Sequence, residues 1–222
     1  MKAVKPRRAT RPSLPLPPPP PPPPAVRDEL DAPRDVARLV RYGERFGAKR
    51  IDIRMLPPHQ QLSIGSGGLA ICDPSTPSSW KALDRPLGAG NFRVMLSVSR
   101  DGDSEQLAAA VIHVGRPPIV RWTVAHAKGQ PKPKSADRIP RWVVTNEWLA
   151  LVDASGGAPK TIAIPTRPSG IAAVDLPFSD GRRALALPCG NGEFAAYWAI
   201  GADDQAVCLV LDFDVFTQKE WK

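Results

Sequence analysis

The chain has little of what metal or nucleophile chemistry needs, with three cysteines and three histidines in 222 residues. Cys72, Cys189 and Cys208 form no CxxC pair. Their odd number and apolar neighbours predict reduced, buried thiols in a cytoplasmic setting and exclude a disulfide framework. No HExxH pair or other helical ligand pair occurs, so no metal is expected, and nothing calls for a cofactor. His59 follows Pro57 and Pro58 in a loop, whereas His113 and His126 fall in strand patterns. There is no GxSxG elbow either. Ser66 lies in Gly65-Ser66-Gly67-Gly68, which lacks phosphate-loop spacing and leads into a strand. No apolar run reaches the roughly 18 residues a membrane span requires, and no leader with an apolar centre is visible.

What the chain does have is proline and an uneven charge. Residues 1–50 hold 12 Lys/Arg against 5 Asp/Glu, leaving 18 against 17 in residues 51–222, so the +8 net charge belongs to the N-terminal part. A surface built for nucleic acid spreads its charge over the fold. Nucleic-acid association is therefore an alternative confined to the basic arm, readable as steep salt dependence. Residues 17–24 are all proline, a stiff left-handed segment about 25 Å long at ~3.1 Å per residue. Residues 1–26 are expected to be a disordered arm, either a linker or a ligand for an aromatic-lined groove.

Residues 27–50 predict one amphipathic helix, spanning 31–47, with Asp31 as cap, Pro33 in the first turn and Gly47 at the exit. Val36, Leu39, Val40 and Phe46 would share its apolar side. Arg34, Arg38, Arg41 and Arg45 would form a stripe opposite, either solvated or facing an acidic partner, a phosphate or an anionic surface.

From residue 51 onward, short period-two segments alternate with turn signals: 51–55, 69–72, 92–99, 107–114, 120–127, 142–145, 148–152, 161–164, 184–187, 193–200 and 206–213. Phe194, Ala196, Trp198 and Ile200 alternate with Ala195, Tyr197 and Ala199. Val207, Leu209, Leu211 and Phe213 alternate again after the polar turn 201–205, which predicts an antiparallel hairpin with one buried face. Asp101-Gly102 marks a second tight turn, and proline-rich residues 130–140 an exposed strap. The fold class expected is mainly β, an antiparallel sandwich or barrel-like body over 51–222.

Three stretches carry a resemblance. Gly68 to Asp73 and Pro74 form a strand entering an Asp-Pro turn, and Gly88-Ala89-Gly90-Asn91-Phe92-Arg93-Val94 feeds another strand. The last stretch comprises Gly190, Asn191, Gly192, Glu193 and Phe194, then Tyr197-Trp198, and finally Asp212-Phe213. In this order the chain resembles the DUF4241 family of uncharacterised bacterial proteins over residues 60–216. The resemblance implies a β-rich fold and a bacterial setting, with no agreed reaction. Thr145-Asn146-Glu147 replaces the family's Asp-x-Gly strand end, with Asp153 retained, and Asn191 replaces an Asp between the late glycines.

Asp73, Asp153 and Asp212 lie at strand edges. They are either turn caps or, if brought together, a carboxylate centre for a hydrolase or a hard cation. Trp122, Trp148 and Trp198 are expected in the core. Trp80, Trp142 and Trp221 are expected nearer the surface, with Arg141-Trp142 resembling an interface anchor. The function expected is that of a non-enzymatic binding protein, an adaptor or toxin-neutralising immunity protein whose partner presents an acidic surface.

Overall fold

The computed structural model describes residues 29–76, 79–116, 118–158, 164, 170–178 and 181–222. The basic polyproline arm, and most of the segment expected as a strand at 161–164, lie outside them. Strand accounts for 47% and helix for 7% of the structure, which excludes a helical core. No helix among the described residues is long and apolar enough to cross a membrane.

The larger sheet is antiparallel and curled. It runs β1 (Arg45–Phe46), β2 (Lys49–Met55), β7 (Val94–Asp101), β8 (Ser104–His113), β15 (Ala206–Asp212) and β14 (Gly192–Gly201). The far side of β14 is shared by β9 (Ile119–Val124) and β10 (Trp142–Val144). A second sheet runs β12 (Val174–Pro177), β13 (Arg183–Pro188), β11 (Trp148–Asp153), β4 (Leu69–Cys72) and β5 (Lys81–Ala82). A two-stranded piece joins β3 (Leu62–Ile64) to β6 (Gly90–Phe92).

Both sequence-marked hairpins form. Asp101 pairs with Ser104 across the Asp101-Gly102 turn, and β14 pairs with β15 around residues 201–205. The strand ends differ from the expected ones by up to three residues, as where β8 starts at Ser104 instead of Leu107. One finer expectation does not hold: the late hairpin is buried on both faces. Phe194, Ala196, Trp198, Leu209 and Leu211 join the core shared by the two sheets, together with Ile71, Leu151 and Leu187. Ala195, Tyr197, Ala199, Cys208 and Val210 fill a second core on the outer face of the larger sheet. Alternation survives in a two-sided strand, but as a choice between two cores rather than between core and water. A register shift at Ala199/Ile200 interrupts the pairing, and Val207 falls in the outer core, off the Leu209–Leu211 face.

The segment covering that outer core is not the helix expected over 31–47. Residues 30–32 run along β9, with Ala32 N–H donating to Trp122 O at 3.0 Å and Val124 N–H to Leu30 O at 2.8 Å. Val36–Val40 then makes a short 3-10 helix, and β1 turns into β2. Gly47 has φ +62°, the left-handed geometry of a tight hairpin turn. The apolar spacing that suggested a helix is satisfied in pieces. Val36 and Leu39, three apart, align on a 3-10 turn, and Phe46 enters the same core from a strand. The C-terminal tail completes the cover, Phe216 stacking on Phe46 with ring centroids 4.0 Å apart.

Candidate functional site

The three strand-edge aspartates do not converge. Asp73 and Asp153 sit at opposite ends of the β4–β11 pair, where Cys72 is opposite Ala150, which separates them by about 13 Å along the strands. Asp212 lies in the other sheet, pairing with Ala195 and Ala109. Among the described residues no group of three His, Cys, Asp or Glu is placed to hold a metal.

Each aspartate instead ties loops together. Asp73 accepts Ser75 N–H at 2.7 Å and Ser75 O–H at 2.6 Å on one oxygen, and Thr145 N–H at 2.8 Å and O–H at 2.9 Å on the other. Burial pushes its carboxyl up, but these donors outweigh it and hold the group below the usual carboxylate range. Asp153 accepts Gly65 N–H at 2.5 Å, Ser66 N–H at 3.1 Å, Ser155 N–H at 2.9 Å and the Ser66 hydroxyl. Its burial is likewise outweighed, and the carboxyl is drawn down to about 2.

The arginine stripe divides. Arg34 donates through Nη2 to Asp212 at 2.5 Å and to Asp214 at 2.9 Å, with its guanidinium 4.4 Å from the Trp221 ring centroid. Arg38 binds Glu44 at 2.8 Å, Trp221 O at 2.6 Å and Arg45 O at 2.7 Å. Both clamp the C-terminal tail to the N-terminal segment and offer no stripe to a partner. Arg41 and Arg45 are exposed. Trp142 is a correction: it is 5% exposed in the shared core, opposite Phe194. Strand alternation on β10 turns Trp142 and Val144 inward and leaves Val143 outside. Trp80 and Trp221 are half-buried.

The residues of the late motif serve the hairpin. Gly190 turns with φ +80°, and a Cβ on Gly192 would meet the Phe194 ring at 3.0 Å. Trp198 and Phe213 pack the shared core, while Tyr197 and Asp212 face the other way, towards Arg34. Burial pushes the Asp212 carboxyl up against the pull of Arg34. The two asparagines nearby fill turns: Asn191 accepts Glu147 N–H at 2.7 Å, and Asn146 accepts Trp148 N–H at 3.0 Å. Pro74 is buried in the turn after β4. The thiols of Cys72 and Cys208 are pushed up to about 12 by burial, Cys72 also by Asp73, which makes both inert at neutral pH. His126 is buried, with Nδ1 3.5 Å from Asp84.

Two features had no signal in the sequence. One is a buried charge cluster. Arg85 forks onto both oxygens of Glu29 at 2.8 Å, and both side chains are 4% exposed. Arg85 also donates to Asp204 O at 3.0 Å, and Arg121 donates to the Asp204 carboxylate at 2.6 Å. The other is an open groove of about 520 Å³ at one end of the larger sheet. Met55 and Met95 pair across β2 and β7 on its floor, and Arg93, His113 and Arg116 line it. His113 N–H donates to Arg93 O at 3.0 Å, which locks the two segments side by side.

This groove touches the outer core at Met95 and the shared core at Phe92 and Val114. Met55 is 52% exposed there. No carboxylate lines it, and among the described residues neither Arg93 nor Arg116 has an ion-pair partner. Burial, then the Arg93 charge, pushes the His113 imidazole below its ordinary value of 6.5. An uncompensated cationic rim around adaptable methionines favours an anionic, partly apolar occupant. No family model, curated protein or solved structure matches this chain.

Proposed function

We propose that the chain is a non-catalytic binding module that docks an acidic segment of a partner protein, with one apolar side chain seated between Met55 and Met95. The observation that carries this reading is the set of cations, Arg93 and Arg116 with His113 beside them, surrounding exposed apolar surface without a carboxylate to answer them. Opposite charge steers such an encounter and fixes its register, while the methionines adapt to the inserted side chain. Neutralising an acidic toxin domain, or bridging two proteins as an adaptor, are roles such a module would serve.

The test is fluorescence anisotropy with a labelled Asp/Glu-rich dodecapeptide bearing a central Leu, against the same peptide with Lys at every acidic position. The acidic peptide should bind and the basic one should not, with affinity falling as salt screens the rim. Arg93→Glu with Arg116→Glu should weaken binding roughly a hundredfold, about tenfold per reversed charge. Because burial and the Arg93 charge hold the His113 imidazole below its ordinary value, the rim gains its extra charge, and affinity should rise, only once pH has fallen below 6.5. His113→Gln should remove that rise. Equal binding of the two peptides, or full affinity in the double reversal, contradicts the reading.

A further inference from the structure

A second cavity, of about 370 Å³, lies over the outer face of β14, away from the groove. Its floor is Tyr197. Its walls come from the three segments that leave the sheets: Arg34 from the N-terminal segment, Ile139 and Arg141 from the strap, and Trp221 from the C-terminal tail. The volume falls in the range of small-molecule sites, roughly 300–1,000 Å³. Apolar walls meet a small set of convergent polar groups here, which is the arrangement such sites use.

The charges are unequal. Two arginines line the cavity and no acid does. Arg34 is answered twice, by Asp212 at 2.5 Å and Asp214 at 2.9 Å. Arg141 reaches Asp214 only at 3.6 Å, beyond hydrogen-bond length, and otherwise donates through Nη1 to Glu193 O at 3.1 Å. The rest of its planar fork has no hydrogen-bond partner among the described residues, although its charge is felt at Tyr197. A fork of this kind matches a carboxylate with two parallel bonds. The indole of Trp221 and the Ile139 side chain supply apolar surface for the rest of such a molecule.

We propose that this cavity binds an organic carboxylate with an apolar or aromatic body, its carboxylate on Arg141 and its body between Trp221 and Ile139. The carboxylate belongs either to a free small molecule or to the C-terminus of a peptide, and the two sources share the same chemistry at Arg141.

Calorimetric titration of the full chain with 2-naphthoate, 2-naphthamide and a hexapeptide ending in Phe, with free and amidated C-terminus, tests this. The acid of each pair should bind at least roughly tenfold more tightly than its amide, the usual margin of a charge-assisted contact. Arg141→Gln, at a 39% exposed side chain, should lose the same factor with an unchanged thermal unfolding curve. Tighter binding by the naphthoate places the carboxylate on a small molecule, and tighter binding by the hexapeptide places it on a chain end. Equal affinity of acid and amide, full affinity in Arg141→Gln, or no saturable binding of either acid at millimolar concentration overturns the proposal.

Discussion

Arg85→Ala is expected to destabilise the fold by about 3–5 kcal/mol, the cost of breaking a buried ion pair by removing one member. Glu29 is 4% exposed and loses the fork that meets both of its oxygens. Arg121, 3.6 Å from Glu29, keeps an ion pair with it but makes no hydrogen bond to either oxygen. The carbonyl of Asp204 in the β14–β15 turn loses the Arg85 hydrogen bond as well. Since Glu29 precedes the residues that run along β9, the damage should also be local, with faster amide exchange at Ala32 and Val124. Arg85→Lys keeps the charge but not the fork and should fall between the two. Urea unfolding followed by circular dichroism measures the loss, and a change below about 1 kcal/mol would place the pair at the value of a surface ion pair.

Asp153→Asn should cost about 2 kcal/mol at neutral pH and flatten the acid limb of the stability profile. The wild-type carboxyl is held at about 2 against an ordinary 3.8. Its contribution is therefore fully present above the unfolded value and is lost as pH falls from about 4 to 2, at ~1.4 kcal/mol per unit of difference. Asp73, also held low, adds to the same limb. Asp212 acts in the opposite sense: burial raises its carboxyl, so protonation favours the folded chain as pH falls. Unfolding curves between pH 6 and pH 2 separate these signs. Identical slopes in the variant and the wild type would mean that the four donors around Asp153 contribute nothing.

The strands are legible because their alternation is local. Leu69–Cys72 lies where the sequence places it, and the β14–β15 hairpin follows from its polar turn. Period two separates two faces but says nothing about whether the second faces water, so it does not disclose the outer core around Tyr197 and Cys208. The helix expected over 31–47 fails for a related reason. Its apolar spacing is real, but tertiary cover satisfies it with a 3-10 turn and a hairpin. Trp142 looks like a surface residue beside Arg141, whereas its partner is Phe194, far away in sequence.

The sites are less legible than the fold. The aspartates at strand edges are visible, but convergence depends on which sheet each edge belongs to, and that ordering is non-local. Arg85 meets Glu29 and Asp204 only after the β14–β15 turn is brought beside the N-terminal segment. In the groove, Met55, Arg93 and His113 stand in three separate strand patterns, and only the register Met55↔Met95 with the His113–Arg93 bond collects them. Arg34 has the spacing of a surface stripe, yet it holds Asp212 and Trp221 in place.

Methionine methyl groups give the most direct test of the docking surface, since two of the three methionines, Met55 and Met95, lie on the groove floor. With ¹³C-methyl-labelled protein and the acidic Leu-bearing dodecapeptide, both methyl signals should shift in a saturable manner, and Arg93→Glu with Arg116→Glu should abolish the shift. Saturable binding of that peptide with both signals unmoved would place its site elsewhere on the molecule and contradict the account.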